Sequence, residues 1–291
     1  MAPSKQKQNH HTISSNETSD WRKEAINGGS LKHVDLETGS NGWASPPGDL
    51  FNLRGKDYLT KKQKFPSGDW LLKPTGVDWL KSSSKLDNIL NRPDNRVMSC
   101  LKTAQSKGFV NSKTFLFAIN LQVPGREHHS AVFYFSTDDP IPNGSLLHRF
   151  VNGDDTFRNQ RLKLVNRIVK GPWIVKTAVG NYAACLLGKA LTCNYYRGEN
   201  YLEVDVDLGS SAIASAILHL ALGYVTAVRI DMGFVIEGQC EDELPERLLG
   251  AVRVCQMEMS SAVYVESGNC KKIGTCSKPS RVQDEEEEED D

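Results

Sequence analysis

The chain has 291 residues with 35 Lys and Arg against 36 Asp and Glu, a length that fits one domain with unstructured ends. The balance hides an acidic run: Asp284 to Asp291 holds eight of the 36 acids, and the remaining 28 face all 35 basic residues, a mild surplus that falls short of a specific nucleic-acid binder. Met1-Ala2-Pro3-Ser4-Lys5 leads into no apolar run, and the most apolar stretch, Ile213 to Val228, is interrupted by His219 and Gly223, so neither secretion nor a membrane span is expected.

Residues 1–42 are rich in Ser, Asn, Lys, His, Thr and Gly and lack apolar periodicity; they are expected to be disordered, because they bury too little to offset the entropy of ordering. The folded body is placed at 43–265 and a second disordered segment, with the acidic tail, at 266–291. The stretch Lys81–Gln105 reads as one short helix and a loop. Phe115 to Val123 alternates with period two, breaks at Pro124-Gly125 and resumes at Ala131–Phe135, which predicts an antiparallel pair whose loop carries His128 and His129. Leu162–Val169 and Trp173–Val179 read as a second pair turning at Lys170-Gly171-Pro172. A short helix is expected at Tyr182–Lys189, and a third pair at Leu191–Arg197 and Tyr201–Leu208. Ser210 or Ser211 can cap a helix in which Ile213, Ile217, Leu220 and Ala221 recur at helical spacing, with Gly223 as its stop. Strands are expected at Val225–Ile230 and Phe234–Glu237, and a short helix near Pro245. The order predicts an α+β fold: one domain with a largely antiparallel sheet and a few packed helices.

The candidate chemistry is sparse. Glu203, Asp205 and Asp207 alternate with Leu202, Val204, Val206 and Leu208, so in a strand the three carboxylates share one face. They are read as a structural charge network with Arg158 and Arg161, whose guanidinium forks match carboxylates; a hydrolase or transferase using the three acids is the alternative. Arg54, Lys56, Lys61, Lys62 and Lys64 surround Tyr58 and Leu59. Cations mixed with apolar anchors suit an anionic lipid headgroup surface. His219 is read as a buried imidazole on an apolar helix. The seven cysteines include no CxxC pair, and no metal site or cofactor is expected.

Several stretches carry a resemblance. Gly48-Asp49-Leu50-Phe51-Asn52-Leu53-Arg54-Gly55-Lys56-Asp57-Tyr58-Leu59, Asn120-Leu121-Gln122-Val123-Pro124-Gly125, Phe157-Arg158-Asn159-Gln160-Arg161-Leu162-Lys163 and Gly171-Pro172-Trp173-Ile174-Val175 are followed by Asn200-Tyr201-Leu202-Glu203-Val204-Asp205-Val206-Asp207-Leu208-Gly209-Ser210-Ser211 and Glu243-Leu244-Pro245-Glu246-Arg247-Leu248-Leu249-Gly250. In this order they resemble the C-terminal domain of the plant enhanced-disease-resistance-two proteins. The resemblance implies a plant intracellular protein. Longer relatives join this domain to a lipid-transfer-type START domain and a phosphoinositide-binding PH domain, and restrain defence and cell death. Neither partner domain has room here, so membrane targeting by a PH domain does not carry over, and the family brings no catalytic residues. The expectation is a non-enzymatic regulatory module, with a lipid, an anionic membrane surface or a protein as partner and the cytoplasm, nucleus or membrane periphery as its place; a protein-interaction scaffold is a further alternative.

Overall fold

The computed structural model describes residues 20–110, 113–180 and 182–266. Order begins well before residue 43. Helix α1 (Trp21–Asn27) is capped by the Asp20 side chain, which accepts from the Arg22 N–H. Trp21 and Ala25, one helical turn apart, are both buried. The expected disorder of 1–42 is therefore corrected for residues 20–42: a single buried tryptophan supplies the apolar area that the polar composition concealed. Residues 1–19, and 267–291 with the acidic run, lie outside the described residues.

After α1 come β1 (Lys32–His33), β2 (Gly42–Ala44), β3 (Asn52–Arg54), helix α2 (Tyr58–Lys61), β4 (Lys64–Pro66) and β5 (Lys73–Ser82). Helix α3 (Arg96–Ser106), capped by Asn95, fills the polar stretch. Strands β6 (Phe115–Val123) and β7 (His128–Thr137) form the expected antiparallel pair. His128 and His129 belong to β7 rather than to its loop, and the His129 ring stacks on Trp79 at 5.0 Å. Helices α4 (Leu146–Asn152) and α5 (Asp155–Asn159) lead into β8 (Leu162–Lys170).

The next two elements are exchanged relative to expectation. Trp173–Val179 is a helix, α6, and Tyr182–Leu186 is a strand, β9, followed by the short helix α7 (Leu187–Ala190). Pro172 stands at the cap with its fixed φ, and Gly180 ends α6 at φ 85. The open edge of β8 then takes β9 as its antiparallel partner, a tertiary choice that overrides the β-branched character of Ile174 and Val175. Strands β10 (Thr192–Arg197) and β11 (Tyr201–Asp207) pair as expected. Helix α8 (Ala212–Gly223) is capped by Ser211. The two strands expected after it are one, β12 (Arg229–Ile236), and the region of Pro245 leads through a cis Leu244-Pro245 peptide into β13 (Leu248–Cys255) instead of a helix. Strand β14 (Val263–Tyr264) closes the described chain.

The fold is α+β and mostly antiparallel, but with two six-stranded sheets rather than one. They run β1-β2-β13-β12-β8-β9 and β10-β11-β6-β7-β5-β14, beside a β3-β4 hairpin. The period-two pattern of each strand sends one face between the sheets, where Phe117, Phe133, Phe135, Val204, Phe234 and Val252 share one core. The outer face of the second sheet packs Leu116, Ala118 and Val132 against Trp21, Val97 and Leu101 of α1 and α3. The outer face of the first sheet packs Val165, Val235 and Ala251 against Phe51 and Leu53, below the β3-β4 hairpin.

Candidate functional site

The acidic ladder stands on the outer face of β11, as its alternation requires, but its partners are not arginines. Glu203 and Asp205 are fully buried. Glu203 accepts from the backbone N–H groups of Ile89 at 2.6 Å and Leu90 at 2.7 Å. Asp205 accepts from the Asn88 N–H and from Asn120 Nδ2, both at 3.0 Å. Asp207 pairs with Lys85. The expected network with Arg158 and Arg161 is corrected: Arg158 donates to the carbonyls of Phe150 and Val151 and pairs with Asp155, while Arg161 pairs with Glu243 at 3.2 Å and lies over the Phe157 ring. The physical reason is local. Arg158 sits one turn beyond α4, within reach of that helix's unpaired C-terminal carbonyls, whereas the ladder faces the loop 83–95. The carboxylates are pegs for that loop. Asn120 and Gln122, on the neighbouring strand, hold the Leu86 carbonyl in the same seat. Both carboxylates are buried and accept from the amides of that loop, so the geometry lends the acid/base reading no support.

Burial pushes the Asp205 carboxyl up to about 9, reinforced by the Glu203 charge beside it. Burial raises Glu203 as well, against the pull of Asp205 and the Leu90 and Ile89 amides. An unfolded aspartate titrates near ~3.9, so from there to about 9 the folded state holds a proton that the unfolded state has lost, and stability falls as pH rises. The native protein should therefore lose thermal stability relative to an Asp205→Asn variant between about pH 4 and pH 9; parallel melting profiles across that window would contradict the buried acid pair.

The basic segment folds as β3, α2 and β4. Its six predicted residues separate into groups. Arg54 Nη2 pairs with Glu237 at 3.0 Å and its guanidinium lies 4.8 Å from the Tyr58 ring centre. Lys62 approaches the same ring at 5.5 Å. Lys61 pairs with Asp57 one turn away, and Lys56 is exposed. Lys64 reaches a cleft that also contains Arg54, Tyr58, Lys163 and Lys189. Lys163 was absent from the basic set because, next to Arg158 and Arg161 in sequence, it reads as a partner of the acidic ladder. It is in fact buried, 2.6 Å from Glu246.

A third feature escaped the sequence reading. Helices α6 and α8 pack together through Ile174, Val179 and Ala221 over Ile168 and Val228. None of the residues of α8 is fully buried although the helix is almost wholly apolar. Trp173 and Ile213 are each 76% exposed. His219, expected inside, is also exposed, because the inward side of α8 is the Leu218 and Leu222 stripe rather than the one starting at Ile213. Leu218 and Leu222 cover an apolar cavity of about 130 Å³ between the sheets, walled by Trp79, Leu121, Phe133 and Met232. The surrounding sequence carries Lys170, Lys176 and Lys189 but no acid from Ile168 to Ala190, and no Asp, Glu, Lys or Arg from Leu208 to Val228. That gap in charge was the available signal. Among the described residues no helix is long and apolar enough to cross a membrane, and no group of three or more His, Cys, Asp or Glu side chains is placed to hold a metal ion.

Comparison with known proteins places these features in context. A family model described as Protein ENHANCED DISEASE RESISTANCE 2, C-terminal, matches residues 43–258. A curated Arabidopsis thaliana protein, Protein ENHANCED DISEASE RESISTANCE 2-like, is 45% identical over 235 residues, which cover 81% of this chain and 31% of that protein. The chain thus spans about a third of the length of the curated relative it matches. No solved structure matches.

Proposed function

Because the chain belongs to the family of the Protein ENHANCED DISEASE RESISTANCE 2 C-terminal domain, we propose that it is a non-enzymatic regulatory module in plant defence that works at a lipid surface, docking through the α6/α8 face. The observation that carries this reading is the exposure of Trp173 and Ile213 on two packed helices whose sequence segments hold no acid, the second of which also covers an apolar cavity with Leu218 and Leu222. Tryptophan suits the boundary between headgroups and acyl chains, where its ring is half apolar and half polar. Helix α8 has 12 residues, too short to span a bilayer at 1.5 Å per residue but well suited to lie along its surface.

The magnitudes support reversible binding. Burying one large apolar side chain contributes ~2–3 kcal/mol. Each lysine near an anionic surface adds ~1 kcal/mol. Trp173 and Ile213 with Lys170 and Lys176 therefore reach roughly 6–8 kcal/mol, in the range of micromolar affinity. The cavity under α8 is similar in size to one that accepts a benzene ring, so it suits the end of a chain rather than a whole lipid.

Co-sedimentation of the full chain with vesicles of phosphatidylcholine and phosphatidylserine tests the reading. The double variant Trp173→Ser, Ile213→Ser is expected to bind more weakly by about a thousandfold or more, the loss of ~4–6 kcal/mol. Equal sedimentation of both proteins, or none by either, would overturn it. Capture of a protein partner by this same face, with no vesicle binding, would favour an interaction scaffold.

A further inference from the structure

Two clefts meet beneath the β3-β4 hairpin. The larger, about 440 Å³, is lined by Arg54, Tyr58, Lys64, Lys163, Lys189 and Glu237. Its neighbour, about 210 Å³, shares Lys64 and Lys163 and reaches Glu246. Four of these residues form a closed ionic floor. Lys163 Nζ stands 2.6 Å from Glu246 and 3.4 Å from Glu237. Arg54 bonds Glu237 at 3.0 Å and donates from Nη1 to the Gly238 carbonyl at 2.9 Å. Glu246 is saturated further by the backbone N–H groups of Arg54 and Gly238. Two cations and two carboxylates leave the floor neutral and fixed, since each charge has a partner of opposite sign.

The walls are different. Lys64 on β4 and Lys189 on α7 are both exposed and line the same cleft. Neither side chain has an ion-pair or hydrogen-bond partner among the described residues, and both carboxylates nearby are already spent on the floor. Two unpaired like charges facing one space repel, and a dianion between them converts that repulsion into attraction. A phosphate monoester carries close to two charges at neutral pH and several acceptor oxygens. The Tyr58 ring, fixed by the guanidinium of Arg54, offers a flat apolar side to whatever carbon bears the phosphate.

We propose that this cleft is a binding site for a phosphate monoester, with Lys64 and Lys189 as its clamps, the Arg54–Lys163–Glu237–Glu246 quartet as a rigid floor and Tyr58 as a side wall. Lys56 and Lys61, although part of the same basic segment, lie outside it. The site does not depend on the α6/α8 face, and its ligand is defined by the phosphate group whether that group is free in solution or the head of a lipid.

Calorimetric titration of the full chain with glycerol 3-phosphate tests the free form. Flotation on phosphatidylcholine vesicles containing phosphatidic acid, compared with phosphatidylserine vesicles of matched surface charge, tests the lipid form. Either glycerol 3-phosphate binds, or phosphatidic acid is preferred over phosphatidylserine. In both cases Lys64→Glu with Lys189→Glu is expected to weaken that binding by about tenfold or more, while Lys64→Arg with Lys189→Arg preserves it. Both positions are exposed, so an unchanged melting temperature confirms that the fold is intact. The proposal is overturned if glycerol 3-phosphate does not bind and phosphatidic acid is not preferred, or if the charge-reversed variant binds as the native chain does. Because Trp173→Ser with Ile213→Ser leaves the cleft intact, its glycerol 3-phosphate titration separates this site from surface docking.

Discussion

Asp231→Asn is expected to lower the unfolding free energy by about 3–5 kcal/mol. Asp231 lies on β12, fully buried, between Arg253 of β13 and Arg167 of β8. Arg253 donates to it from Nε at 2.5 Å and from Nη2 at 3.0 Å. Arg167 donates to Oδ2 from Nη2 at 2.7 Å and from Nε at 2.9 Å. The amide keeps one acceptor of two and no charge, so Arg167 loses its counter-ion and the buried Arg253 keeps only the exposed Glu37 at 3.3 Å. Burial alone works against the Arg253 charge, and the hydrogen bonds and charge of Asp231 more than compensate, holding its pKa above the ordinary value. Urea titration reads the effect as a lower midpoint at unchanged slope. A variant within ~1 kcal/mol of the native chain would show that the triad contributes little.

Glu203→Leu is expected to cost about 3 kcal/mol, because it strands two buried backbone donors at ~1–3 kcal/mol each. The leucine fills similar volume, so the loss isolates the hydrogen bonds from cavity formation. The effect should be local before it is global. The amides of Ile89 and Leu90 are expected to exchange with solvent faster than those of β6 and β7, as the loop 83–95 lifts from its seat. Glu203→Gln, which retains one acceptor oxygen, should fall between. If all of these amides exchange as in the native chain, the carboxylate is not what holds the loop.

Much of this architecture was legible in period-two patterns. Phe115–Val123, Thr192–Arg197 and Tyr201–Asp207 alternate cleanly because one side of each is driven into the core between the sheets. The same rule correctly put Glu203, Asp205 and Asp207 on one face. It was silent on who would face them, since contact across 114 residues between Glu203 and Ile89 leaves no local trace. The arginines nearest in motif were chosen, but Arg158 serves a helix end and Arg161 pairs with Glu243. Trp173–Val179 and Tyr182–Leu186 were exchanged because apolar runs this short fit either element, and the open edge of β8 decided between them. Asp231 and Arg253 were overlooked, as isolated charges in strands ordinarily face water. Lys163 and Lys189 lie far from Lys64 in sequence and carry no local sign of sharing a cleft with it, so half of the basic cleft was invisible until β8 and α7 were brought to β4.

The exposed apolar face was legible in principle. Pro172 followed by Trp173, and 21 residues from Leu208 to Val228 without Asp, Glu, Lys or Arg, depart from the usual mixed surface. Helical spacing suggested a buried stripe starting at Ile213, which is instead exposed. Five of the 12 residues of α8, Ile213 among them, are exposed, and the flanking lysines suit an anionic cover.

Trp173 makes that argument directly measurable. Of the five tryptophans, Trp21, Trp43 and Trp79 are buried in the fold and Trp70 is half-buried, whereas Trp173 is 76% exposed. Phospholipids brominated on their acyl chains quench a tryptophan only when its ring reaches the hydrocarbon. Mixed with vesicles of brominated phosphatidylcholine and phosphatidylserine, the native chain is expected to lose the Trp173 part of its fluorescence, and a Trp173→Phe variant to lose almost nothing while still binding. Quenching that is the same in both proteins, or absent from both while the native chain sediments with the vesicles, would contradict docking through the α6/α8 face.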